Sequence, residues 1–477
     1  MTLTKTYVAL ADTDRAAAPT PVRSASTTNA CRMCMPLGAC LAYTGFEGAV
    51  PFLHGSQGCA TYIRRYLISH FCEPMDIASS SVGEAATVFG GEANLRTGVA
   101  NVARVYRPKL IGLASTCLTE TIGEDVVAMI GRAVDPVEGV EAETGQAVPE
   151  LVFASTPSYA GTHADGFHAA VAAVVRAGAQ GPTGGAADAA VNLFPAIVST
   201  ADLRHLRELT SAFGLPAHLM PDYSDRMDGV TLARYEKLPA GGTTAAEVAA
   251  SGQARASITL GGLVTPGVEL AGEVLQRKFG VPDLRLSLPI GIRLSDEFRD
   301  VLAELSGEEP PAWLAAERGR LVDAYIDGHK YAMDRTAIVF GDEDLVLGIS
   351  SFLAEIGITP VLVASGGRSG RLAGELGRLN PGLAGNVEVL DDGDFTEIEA
   401  RAAELKPDLL VGHSKGYPTA RRLGIPLVRV GLPIHDRVGG QRLKHLGYRG
   451  TQELFDRVVN TLIERRQDES GVGYAYM

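Results

Sequence analysis

Six cysteines stand at positions 31, 34, 40, 59, 72 and 117, within the first quarter of a 477-residue chain, and the rest of the chain has none. Thiolates are soft ligands that select zinc, copper(I) or iron–sulfur clusters. Cys34 precedes Pro36-Leu37-Gly38, and Cys59 closes His54-Gly55-Ser56-Gln57-Gly58. Cys117 follows the apolar run Leu110 to Ala114, with Ser115 and Thr116 between. Each thus sits beside a predicted turn or strand end, on a loop, and loops on a rigid scaffold can converge from distant parts of a chain. Gly55 and Gly58 would let backbone approach a bulky inorganic group and aim N–H donors at its sulfides. Zinc is the weaker expectation, because Cys31 and Cys34 form one Cys-x-x-Cys without a second pair. A thioredoxin-like role is weak too, since no strand leads into that pair. Cys40 and Cys72 read as small buried hydrophobes, and Cys31 stays undecided.

The elements that must position these thiols read as parallel α/β units. Gly48 to His54, Lys109 to Ala114 and Leu151 to Ala154 are short apolar runs, as expected of strands buried on both faces. Asn94 to Tyr106 and Glu120 to Ala133 have helical spacing between them. Ala177 to Ala189 is Gly- and Ala-rich and reads as a connection. A second unit follows, with strands at 192–198 and 216–220 and a helix over 201–213 capped by Thr200. A helix over 317–333 leads to a third, with strands at 336–340, 359–364, 409–412 and 427–430. The expected fold is therefore α/β, with three Rossmann-like, doubly wound parallel-sheet domains. Their spans are 29–177, 190–330 and 331–477, the last including C-terminal helices, after a flexible arm over 1–28. The closing Gly-Tyr-Ala-Tyr-Met could pack on a partner.

Net charge is −13, which argues against nucleic acid or an anionic membrane as partner. Arg64 and Arg65 form only a small basic patch. No apolar run is long enough to span a bilayer and no export signal opens the chain, so a cytoplasmic protein with reduced thiols is expected. Gly366-Gly367-Arg368-Ser369-Gly370 lacks the lysine of a phosphate-binding loop, and Asp342 and Asp344 read as loop or cap residues.

Several motifs together resemble the β-type subunits of nitrogenase component 1. They are CMPLGA from Cys34, VPFLHGSQGC ending at Cys59, ATVFGG from Ala86, STCLTETIGED from Ser115 and FASTPS ending at Ser158. ERGRLVDAYIDGH from Glu317, FGDEDLVLG from Phe340, GLPIHDR and HLGYRG continue the order. The intervals of 25 residues from Cys34 to Cys59 and 58 from Cys59 to Cys117 agree with the family. The resemblance implies the nitrogenase component 1 fold. It also implies that Cys34, Cys59 and Cys117 ligate half of an interfacial P-cluster, [8Fe-7S] in type or alternatively [4Fe-4S]. An α-type partner would supply the other thiolates in an α2β2 heterotetramer. By the same resemblance Ser158 and Ser56 lie at the cluster, and Tyr62 lies between it and a distant cofactor. Phe89 would meet an ATP-dependent iron protein. Each has a plainer reading: Ser158 as a turn or cap residue, Tyr62 and Phe89 as core or interface aromatics, Glu120 and Asp125 as helix-surface acids.

The extra cysteines at 31 and 40, and Ile63-Arg64-Arg65-Tyr66 after the cluster motif, point toward nitrogenase-like relatives. The leading expectation is an oxidoreductase subunit of the methylthio-alkane reductase type, relaying electrons to a cofactor in the α-type partner. The alternatives are the β-type subunit of the cofactor-assembly scaffold and a true nitrogenase β subunit. A dark-operative ring reductase ranks low, and a small-molecule binding protein lowest.

Overall fold

A computed structural model describes residues 29–145, 148–182 and 188–472. The expected arm over 1–28 and the closing Gly-Tyr-Ala-Tyr-Met lie outside them. Three parallel sheets carry the fold. The first holds β1 (Ala49–His54), β2 (Ala78–Ser79), β3 (Leu110–Ser115) and β4 (Glu150–Ala154) in the order β2-β1-β3-β4. The second holds β5 (Asp188–Phe194), β6 (Ala217–Leu219), β7 (Ala254–Leu260) and β8 (Asp283–Leu286) in the order β6-β5-β7-β8. The third holds β9 (Thr336–Gly341), β10 (Thr359–Ser365), β11 (Glu388–Leu390), β12 (Leu409–Gly412) and β13 (Leu427–Arg429) in the order β11-β10-β9-β12-β13. The expected α/β class with three parallel sheets is what the chain adopts.

By compactness the described residues fall into two units. One comprises 33–207 and 216–284; the other comprises 29–32, 208–215 and 285–472. In the first unit, β1 and β3 are buried on both faces along their whole length, which explains their uninterrupted apolar sequence. Helix α1 (Met35–Thr44) is buried at every residue. Tyr43 from it lies over Gly112 of β3, where a Cβ would overlap the ring, and its hydroxyl donates to Leu113 O at 3.0 Å. The following helices are α2 (Gln57–Phe71), α3 (Glu84–Phe89), α4 (Glu92–Tyr106), α5 (Cys117–Thr121), α6 (Val126–Thr144) and α7 (His163–Gly178). The single helix expected over 120–133 is instead two, because Gly123 adopts φ +76° and breaks the run between α5 and α6. The strand expected to reach Val198 stops at Phe194, where Pro195 brings no N–H to a ladder.

In the second unit, β9 leads into the helix Glu343–Glu355, whose first residue is buried. Glu343 Oε1 accepts from Ser369 N at 3.1 Å, and Gly367 leaves it room, since a Cβ there would fall 2.5 Å from that oxygen. The glycine-rich loop 366–370 thus wraps a carboxyl group of its own chain. Burial pushes Glu343 up to about 8; the bonds from Ser369 oppose this, and Asp391 and Asp344 add to it. Folded Glu343 keeps its proton between its ordinary value of 4.5 and about 8, whereas the unfolded chain has released it. Stability is therefore fully present below the lower value and falls as pH rises through this window. Glu343→Gln is expected to flatten that decline, read as the difference in melting temperature between pH 5 and pH 8. Parallel declines in the two proteins would refute it.

Candidate functional site

The three thiols of interest stand at the starts of three helices. Cys34 is the N-cap of α1, Cys59 lies in the first turn of α2 behind its N-cap Ser56, and Cys117 opens α5. They are not on free loops, as the turn residues beside them suggested, but on the first residues after those turns. Helices α2 and α5 begin where β1 and β3 end, and these strands are neighbours in register, with His54 opposite Ser115. The two strand ends touch, since a Cβ on Gly55 would overlap the side chain of Thr116. The cysteines therefore gather at the carboxyl edge of a parallel sheet, where ligands of such folds usually bind.

Ser158, on the loop after β4, joins two of the three. Its N–H donates to Cys117 Sγ at 3.3 Å, and its Oγ accepts from Met35 N, the residue after Cys34, at 3.1 Å. The N-cap of α7 is Thr162, so Ser158 does not cap that helix. Ser56 Oγ lies 3.6 Å from Cys59 Sγ. The residue before Cys34 is held as well: Met33 N donates to His163 Nδ1 at 3.3 Å, and His163 N donates to Met33 O at 3.2 Å. Glu120, one turn beyond Cys117, accepts from Ser115 Oγ and from Ser155 Oγ, and so ties the ends of β3 and β4 together. It is a strut and not an idle surface acid, whereas Asp125 caps α6 by accepting from Ala128 N.

The electrostatics suit a polynuclear, cationic guest. Burial pushes the Cys34 thiol up to about 12; the Leu37 N–H opposes this, while Cys59 and Cys117 add to it. The Cys34 sulfur is thus close enough to the other two to be repelled by them as thiolates. Helix N-termini offset part of that repulsion, and metal cations would supply the remainder. Zinc fits less well. Among the described residues, no three His, Cys, Asp or Glu side chains close on a point the size of one ion. Gly58 leaves backbone bare beside Cys59, as a cluster with bulky sulfides would need, whereas the space beside Gly55 is taken by Thr116.

Tyr62 lies one turn after Cys59 and is 45% exposed, with its ring 4.8 Å from that of Tyr66. Phe89 ends α3 and is 88% exposed, with Val88 beside it at 75%. Neither is a core aromatic. Cys40 is buried inside α1, as expected of a small hydrophobe, but Cys72 is exposed at the end of α2. Cys31 is buried in the other unit, 3.9 Å from His413 Nε2.

The profile of the nitrogenase component 1 type oxidoreductases matches residues 34–463, beginning at Cys34 itself. The chain belongs to that family. It is a β-type member of nitrogenase component 1. It is 33% identical over 452 residues to the nitrogenase molybdenum–iron protein β chain of Clostridium pasteurianum, covering 94% of this chain and 95% of the relative. The β chain of the same name from Methanothermobacter marburgensis is 35% identical, with 90% and 93% covered. A solved nitrogenase Cp1 structure at pH 6.5 superposes with a TM-score of 0.89 at 32% identity, covering 95% of this chain and 97% of that one. A nitrogenase Cp1 chain at pH 5 shares the fold alone, at 16% identity and a TM-score of 0.66. The expectation of a methylthio-alkane reductase draws no specific support from these relatives, whose names point to the molybdenum–iron protein instead. Among the described residues, no helix of this nitrogenase-family chain is long and apolar enough to cross a membrane.

Proposed function

We propose that the chain is the β-type subunit of a nitrogenase complex of the molybdenum–iron protein kind, and that Cys34, Cys59 and Cys117 hold its half of an interfacial iron–sulfur cluster. The observation that carries this reading is the gathering of three thiols at three helix starts, with Ser158 joining those of Cys34 and Cys117. When bound, such a cluster, [8Fe-7S] or [4Fe-4S], would supply one-electron transfer between an ATP-dependent iron protein and a cofactor in the α-type partner. The chain's own residues bind and orient. The helix N-termini offer N–H groups and positive potential to the thiolates. Ser158 and Ser56 bring hydroxyls to the same place, and Tyr62 extends from it. Phe89 and Val88 offer an apolar tip on which the iron protein docks. The three sheets correspond in this reading to domains over 29–177, 190–330 and 331–477.

The test is anaerobic co-purification with the native α-type partner, followed by iron count, EPR and assay with iron protein and ATP. About eight irons per αβ interface, with ATP-dependent turnover, supports the reading. About four irons and no turnover with any substrate favours an assembly scaffold instead.

A further inference from the structure

His54 is the last residue of β1 and is fully buried. Both ring nitrogens are engaged: Nδ1 meets Ser80 Oγ at 2.9 Å and Nε2 meets Glu124 Oε2 at 2.6 Å. The Glu124 side chain is only 5% exposed. Its other oxygen accepts the N–H of Gly91, two residues after Phe89 and at the start of α4. That backbone lies against the pair, because a Cβ on Gly91 would fall 2.9 Å from Glu124 Oε1 and 3.1 Å from His54 Cε1. On the far side, the pair is bonded to the segments that carry Cys59 and Cys117. Glu124 N donates to Thr119 O at 3.2 Å, and Thr119 Oγ1 donates to His54 O at 3.0 Å, inside the helix that Cys117 opens. His54 leads directly through Gly55 into Ser56, the cap of the helix that carries Cys59. Ser80 Oγ also accepts from Gly55 N at 3.0 Å.

We propose that His54 and Glu124 are a positioning pair that transmits contact at the Phe89 tip to the loops bearing Cys59 and Cys117. The physical basis is that buried, charge-assisted hydrogen bonds are short and stiff, so a shift of the Gly91 backbone moves Glu124 and not bulk water. The carboxylate thus touches the Gly91 backbone and His54, while Glu124 N and His54 O both bond Thr119 in the helix that Cys117 opens. The inference rests on the docking reading of Phe89, and its test separates the two.

The experiment is hydrogen exchange of the native αβ complex, with and without iron protein and a non-hydrolysable ATP analogue, read at 55–59 and 116–121. Docking is expected to slow exchange in both segments of the wild type. Glu124→Ala is expected to keep its iron and its affinity for the iron protein, and to lose the docking response on the order of tenfold, the worth of a charged hydrogen bond. Gly91→Ala, which crowds Glu124 from the tip side, should lose it as well and serves if Glu124→Ala folds poorly. Glu124→Gln keeps the bonding frame, its amide oxygen accepting from Gly91 and its amide N–H donating to His54, and should restore the response. An undiminished response in Glu124→Ala or Gly91→Ala, or a loss in Glu124→Gln equal to that in Glu124→Ala, would overturn the link alone. A wild-type complex without iron, or without affinity for the iron protein, would overturn the functional reading and the link with it.

Discussion

Replacing Cys34, Cys59 and Cys117 together with alanine is expected to reduce the iron held on this chain's side of the interface to background. The EPR signal of the interfacial cluster should vanish with it. Three observations set the size of that effect. Cys34 feels the other two sulfurs as charges and is tied to Cys117 through Ser158, so the cysteines contribute to one site and not to three. Each occupies a helix start, where N–H groups favour the anionic ligand form. Serine at 158 cannot compensate, because one hydroxyl does not replace three thiolates and its Oγ already accepts from Met35 N. Cys40→Ala and Cys72→Ala are the controls: the first is buried within α1 and the second sits at the opposite end of α2 from Cys59. Both should retain iron. Iron that survives the triple substitution would remove the cluster assignment itself, whatever the family.

The cysteines and the sheets beneath them were legible in the sequence for a physical reason. Strands β1, β3, β9 and β10 are buried on both faces or nearly so, and such strands must be written in unbroken apolar residues. Strand β7, with Ser257 and Thr259 in Ala-Arg-Ala-Ser-Ile-Thr-Leu, was not legible. Its polar side chains are buried because they find partners far away: Asn192 Nδ2 donates to Ser257 Oγ at 3.1 Å, and Thr259 Oγ1 to Asp283 at 2.6 Å. Helix α1 was not legible for another reason. Helix α1 is buried all round, so it has no polar face to reveal a helical period. The pairing of His54 with Glu124 was hidden by their separation of 70 positions along the chain. His54 stood in a visible motif, and the cue that could have exposed its partner was the acidic pair Glu124-Asp125 after Gly123, where a helix breaks. No local pattern links the two, since only the register of β1 with β3 brings them together.

Gly38→Ala is the second large effect, and it tests the same site through the backbone that carries it. Helices α1 and α7 meet at two glycines. A Cβ on Gly38 would overlap the carbonyl group of His163, and one on Gly166 would overlap that of Met35. The obstacle in each case is backbone, which cannot swing away as a side chain can. One added methyl must therefore push the helices apart, and overpacking of this kind costs roughly 1–3 kcal/mol or more. For a unit of this size that corresponds to a fall in melting temperature on the order of 2–12 °C. The displacement acts at the end of α1 where it matters most. Cys34 caps that helix, and the residues on either side of it are tied to α7 and its loop, Met33 through His163 and Met35 through Ser158. Moving α1 breaks these ties and draws Cys34 away from the place it holds beside Cys59 and Cys117. Gly38→Ala should therefore lose iron as well as heat stability, although it changes no ligand. Gly319→Ala is the matched control, since its Cβ would enter open space on the helix Ala312–Ala332, where alanine is favoured over glycine by about 1 kcal/mol. It should keep its iron and melt no lower than the wild type. A Gly38→Ala protein with normal melting and full iron would show that the backbones of α1 and α7 do not touch, and that Cys34 is held by something other than their contact.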